Sequence, residues 1–146
     1  MAANPTISEI LEQSNGAQFC RADLHIHSFG ELGSYDVTDT SMTPENIVDT
    51  AISENLQVVA ITDHNQIGNV RRALKHAENK SILVVPGVEL STAQGHFLVY
   101  CPSIDALERF YGKLSISSDK KMCSDTIPQC LKYADEFDGF GICVSK

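Results

Sequence analysis

A chain of 146 residues with 42% apolar side chains can bury one core of its own but has too little material for several complete domains. Its 11 basic residues face 19 acidic ones, a net charge of −8, which argues against a general nucleic-acid-binding surface and leaves room for bound divalent cations. No apolar run approaches the roughly 20 residues that cross a bilayer, and Met1-Ala2-Ala3-Asn4-Pro5 lacks the regions of a signal peptide, so a cytoplasmic location without membrane contact is expected.

Residues 1–18, with Ile7, Ile10 and Leu11 as their apolar stripe, read as an N-terminal extension, and residues 19–146 as the domain. The first strand, over 22–27, sets Asp23, His25 and His27 at two-residue spacing, so the three should share one face while Leu24 and Ile26 point into a core. After a polar loop over 29–42, Thr43-Pro44-Glu45 supplies an N-cap, an N1 proline and a first-turn acid. The helix it opens buries Ile47, Val48, Ala51 and Ile52.

Residues 57–61 form a continuous apolar run, the mark of a strand covered on both faces, and it stops at Thr62-Asp63-His64-Asn65. Val70, Ala73, Leu74 and Ala77 then recur at helical spacing. A strand over 82–85 breaks at Pro86-Gly87, Val88-Glu89-Leu90 resumes an extended stretch, and Gly95 turns the chain into a strand over 96–101. Helices around 104–114 and 127–137 flank a polar stretch at 115–124, and a last strand covers 139–145. The five cysteines are scattered and contain no Cys-x-x-Cys pair; Cys101 and Cys143, inside apolar runs, are expected to be buried as small hydrophobes.

Strands alternating with amphipathic helices predict an α/β fold of βα units around a parallel sheet. In such folds the C-terminal ends of the strands lie together, and here three successive strands carry Asp23, His25 and His27, then Asp63 and His64, then Glu89 at those ends. His96 falls beside them, whereas His76 lies at the edge of a helical stripe and reads as a surface residue. Imidazole and carboxylate donors without a thiolate suit Zn, Mn or Fe and do not choose among them.

Asp23-Leu24-His25-Ile26-His27-Ser28, Ile61-Thr62-Asp63-His64-Asn65, Pro86-Gly87-Val88-Glu89 and His96-Phe97-Leu98-Val99-Tyr100 resemble, in order and spacing, the first motifs of the PHP (polymerase and histidinol phosphatase) superfamily. The resemblance implies a distorted (β/α)7 TIM-like barrel, up to three divalent metal ions, and hydrolysis of a phosphomonoester or phosphodiester by a metal-activated water. By the same resemblance His25 and His27 hold a first metal, Glu89 bridges it to a second, and His96 belongs to the second. Asp36, with Glu31 and Asp39 as alternatives in the same loop, joins His64 at a third. Glu89 and His64 are marked for catalysis, and Asp23 and Asp63 for orienting imidazoles by accepting their other N–H.

A complete barrel of this kind needs a later His, commonly before Pro, and an Asp-x-His; Ser145-Lys146 stands where the first would fall. About five strands of the barrel are therefore expected, with pairing to a missing C-terminal segment or a partner chain. Besides a phosphoesterase acting on a phosphate-ester substrate, the resemblance leaves open a non-catalytic module serving stability or interaction, and the nuclease part of a longer ATPase-linked protein.

Overall fold

The computed structural model describes residues 19–144; the expected extension at 1–18 and the final pair Ser145-Lys146 lie outside the described residues. Six strands and four helices follow one another: β1 (Ala22–Ile26), α1 (Pro44–Ser53), β2 (Val58–Ile61), α2 (Val70–Ala77), β3 (Leu83–Val84), β4 (Gly87–Thr92), β5 (Gly95–Tyr100), α3 (Ile104–Tyr111), α4 (Ile127–Asp135) and β6 (Phe140–Val144). The strands form two three-stranded sheets, β1-β2-β3 and β4-β5-β6. The α/β class stands, while the described strands do not close into a barrel. The count rises from five to six because the stretch around Glu89 is a full strand.

The first sheet is parallel, as the alternating pattern predicts. Thr43 caps α1 by accepting from the Asn46 N–H at 3.2 Å, and Pro44 presets the first turn. Ile47, Val48 and Ala51 of α1 then meet Ala73 and Ala77 of α2 over Val59, Ile61 and Val84 of the sheet. Each buried Val or Ile contributes roughly 1.5–3 kcal/mol by leaving water.

The second sheet is antiparallel, contrary to the expectation of parallel βα units throughout. Only Ala93 and Gln94 separate the paired Thr92 and Gly95, and Gly95 takes a φ of 122°, so the chain turns straight back and has no room for a crossover helix. Val88, Leu90, Phe97 and Val99 face α3 and α4 with Leu107, Phe110, Cys130 and Ala134. By period-two alternation Glu89, Ser91, His96, Leu98 and Tyr100 share the other face.

On that face Leu98 and Tyr100 meet Ala60, and Tyr100 Oη donates to the Leu24 carbonyl at 2.7 Å, tying the two sheets together. A second tie is backbone: the Asn65 N–H donates to the Glu89 carbonyl at 2.8 Å and the Glu89 N–H to the Asp63 carbonyl at 3.2 Å. The segment leaving β2 thereby runs parallel to β4, which sets His64 beside Glu89. Cys101 is buried as expected, but Cys143 is exposed, because β6 is an edge strand with Phe140 and Ile142 also open to solvent.

Candidate metal centre

β1 does not keep its period. Asp23 pairs with Val59 and Ile26 with Ile61, three steps against two, so a bulge adds one residue between them. Asp23 consequently falls out of phase with His25 and His27. Its Oδ1 accepts from the His25 N–H at 3.2 Å, and it lines a groove of about 470 Å³ against α1 with Ile26, Met42 and Ile47.

His25 and His27, past the bulge, reach Glu89. Their Nε2 atoms lie 2.9 and 2.7 Å from Glu89 Oε2, and His96 Nδ1 lies 2.7 Å from Oε1. His64 Nδ1 stands 3.6 Å from Oε2. Four imidazoles thus surround one carboxylate whose side chain is 2% exposed, and both oxygens are engaged. Burial alone would raise the Glu89 pKa, but the hydrogen bonds with His27 and His25 and the neighbouring imidazole charges outweigh it and hold the group down at about 2.

His64 is itself buried. Its Nδ1 lies 3.0 Å from Ser91 Oγ, its backbone N–H donates to Ser34 Oγ at 3.1 Å, and its ring neighbours those of His27 and His96. Burial keeps its pKa below the usual histidine range despite Glu89, so at neutral pH the ring is uncharged and retains a lone pair. Asp36 closes the far side, Oδ2 being 3.5 Å from His64 Nε2 and Oδ1 3.6 Å from His27 Nδ1. Burial also opposes the His27 charge, yet its contact with Glu89 and the fields of Asp36 and Asp63 leave its pKa raised.

All six expected ligands therefore converge, in three overlapping clusters: His25, His27 and Glu89; His27, Asp36 and His64; and His64, Glu89 and His96, with donor atoms in each within 4.8 Å. Among the described residues Glu31 and Asp39 join none of them, and Asp39 accepts instead from the N–H and hydroxyl of Ser41. His76 pairs with Asp49 and Lys80.

Asp23 and Asp63 do not accept from an imidazole. Asp63 takes both the backbone N–H and the hydroxyl of Ser28 at 2.5 Å, pinning the end of β1 to the end of β2. Asn69 extends this link by donating to Ser28 Oγ at 2.9 Å. Burial pushes Asp63 up to about 6 against those bonds. Ser28, Ser34, Asn69 and Ser91 were not singled out by sequence reasoning. Ser91 alone carried a usable signal, two residues beyond Glu89 on the same strand face.

Donor type agrees with a divalent cation: imidazole nitrogens and carboxylate oxygens, with a buried carboxylate facing different imidazoles through each oxygen. The PHP domain family model matches residues 23–141, and the chain belongs to that family. An uncharacterized protein of Methanocaldococcus jannaschii is 34% identical over 82 residues, covering 53% of this chain and 48% of the relative. A 3′,5′-nucleoside bisphosphate phosphatase of Chromobacterium violaceum is 31% identical over 78 residues, covering 53% of this chain and 25% of the relative. A solved structure of an amidohydrolase from Chromobacterium violaceum, with bound sulfate and no metal, is 28% identical with a TM-score of 0.47, over 63% of this chain and 32% of that one. The chain thus spans about half the length of the first relative and a quarter of the second. No helix among the described residues is long and apolar enough to cross a membrane.

Proposed function

We propose that this chain carries the metal-binding part of a phosphoesterase that hydrolyses a phosphate ester. The observation that supports it best is the Glu89 carboxylate, buried and shared between His25 and His27 on one oxygen and His96 on the other. In this reading His25, His27 and Glu89 would hold one divalent cation, Glu89 and His96 a second, and Asp36 with His64 Nε2 a third, since Ser91 occupies His64 Nδ1. When bound, such cations supply Lewis acidity toward a phosphoryl oxygen and acidify water at neutral pH.

The chain's own residues do the rest. Glu89 stays ionised and His64 stays neutral at pH 7, so both keep lone pairs available. Ser91 and Ser34 hold His64 in place, and Asp63 locks the two strand ends from which the imidazoles project. A neutral imidazole has one lone pair, so His27 and His64, each shared by two clusters, can each serve only one cation. The first position is therefore the best furnished, with three side chains, and the other two have two each.

The relative that acts on nucleoside bisphosphates supports a phosphomonoester as substrate. The test is release of inorganic phosphate from aryl and nucleotide monoesters by protein reconstituted with Mn or Zn, together with metal analysis. Turnover abolished by Glu89→Gln supports the reading; no turnover and no bound metal overturn it. A metal-binding interaction module without turnover is the second reading, favoured by the open edge of β6 with its exposed Phe140 and Ile142. It predicts bound metal and unchanged substrate.

A further inference from the structure

Asn65, which follows His64 in sequence, is fully buried and has every polar atom engaged. Its N–H donates to the Glu89 carbonyl at 2.8 Å, and its own carbonyl accepts from Tyr111 Oη at 2.8 Å. Its side-chain Oδ1 accepts from the Ser91 N–H at 3.0 Å, and Nδ2 donates to the Lys120 carbonyl at 3.0 Å. The end of β2 is thus tied to two residues of β4, to α3 and to the short hairpin between α3 and α4, where Ile116 pairs antiparallel with Cys123. A φ of 49° puts Asn65 in the left-handed region, which asparagine tolerates better than most side chains. That turn accounts for the backbone of the residue. It does not account for a buried carboxamide bonded at both ends.

Both ends of Ser91 are held. Asn65 Oδ1 takes its N–H, and the Cys123 N–H, from the hairpin, donates to its carbonyl at 2.7 Å. Because Nδ2 is committed to Lys120, the carboxamide cannot turn over without setting a donor against the Ser91 N–H. Ser91 Oγ in turn lies 3.0 Å from His64 Nδ1. With that nitrogen engaged, the ring offers its other one, Nε2, which lies 3.5 Å from Asp36 Oδ2.

We infer that Asn65 is a positioning residue for His64: by fixing Ser91 it aims His64 Nε2 at the cation position shared with Asp36. This rests on the metal-binding reading of the cluster and adds to it a residue that touches neither cation nor substrate. The hairpin between α3 and α4, which supplies no ligand, takes part in the same arrangement through Lys120 and Cys123.

The experiment follows the histidine rings of isotope-labelled protein by NMR while chelator-stripped samples are titrated with Zn, so that each imidazole reports the cation it holds. Asn65→Gly accepts the left-handed backbone without strain and removes both carboxamide bonds. It should raise the Zn concentration that moves His64 about tenfold and leave His25 and His27 responding as in wild type. Added to Ser91→Ala it should change His64 little further, because the contact through which Asn65 acts is already gone. Thr43→Ala, which removes the α1 cap and so destabilises the fold elsewhere, should alter none of the three rings. Tyr111→Phe, nearly isosteric and freeing only the Asn65 carbonyl, should shift His64 in the same sense but less, and it decides the matter if Asn65→Gly does not fold. An unchanged His64 response in Asn65→Gly, a shift shared equally by His25 and His27 or by Thr43→Ala, or a full further loss on top of Ser91→Ala overturns the positioning role and leaves the metal-binding reading intact. If no ring responds to Zn, both fall.

Discussion

Replacing Glu89 by Gln keeps the side chain's size and removes the charge that four imidazoles surround. In the metal-free protein Glu89 titrates at about 2 against 4.5 for an ordinary glutamate. At about 1.4 kcal/mol per pKa unit, ionisation of this carboxylate stabilises the folded state by about 3 kcal/mol. The folded value lies below the unfolded one, so this stability is present above about pH 4.5 and is lost as pH falls through about 2. With a chelator present, urea denaturation at neutral pH should therefore find Glu89→Gln less stable by up to about 3 kcal/mol, the full amount applying where the imidazoles are charged, and the acid limb of its stability curve should be flatter than that of wild type. A divalent cation at 100 times its Kd should then stabilise wild type by about 2.7 kcal/mol and the variant by less than about 1 kcal/mol, because no carboxylate remains to join the two clusters. A variant as stable as wild type without metal, or raised equally by metal, would refute the assignment of Glu89 as the shared ligand.

Asp63 should act in the opposite sense. Its folded pKa of about 6 lies above the unfolded 3.8, so its contribution is complete below about pH 3.8 and is lost as pH rises through about 6, by up to about 3 kcal/mol. Metal-free wild type should lose stability over that window in urea titrations, and a decline of the same size in Asp63→Asn would count against this origin. Ser91→Ala, which frees His64 Nδ1, should weaken metal binding by about tenfold in calorimetric titration; unchanged affinity would show that Ser34 and the neighbouring rings suffice. Gly141→Ala would place a Cβ 2.0 Å from Phe97 Cζ and should cost about 1–3 kcal/mol; a melting temperature equal to wild type would mean that β6 does not sit on that ring.

Much of the fold was legible because its signals are local. Thr43-Pro44 announced α1, the run at 57–61 announced β2, and Gly95 marked the turn where the structure has one. What failed was direction and phase, which depend on partners. An apolar strand reads alike whether its neighbour runs parallel or antiparallel, so β4, β5 and β6 could not be oriented from composition. The bulge in β1 carries no glycine to betray it. Within it Asp23 offers its own carboxylate to the His25 N–H, a contact that alternation alone cannot anticipate.

The ligand set nevertheless converged, although one premise of the argument for convergence was wrong. Parallel strands with their C-terminal ends together would bring the motifs to one rim, yet Glu89 lies within β4 and His96 at the start of an antiparallel β5. Two independent features compensate. The parallel bridge from the end of β2 onto Glu89 delivers His64, and the two-residue hairpin loop folds His96 back opposite Ser91, on the face that Glu89 shares. Both depend on even spacing along a strand: Glu89 and Ser91 are two residues apart, as are His25 and His27. Face, not strand direction, is what the ligand positions require. Asp23, equally even in spacing and expected to orient an imidazole, does not do so because the bulge changed its face.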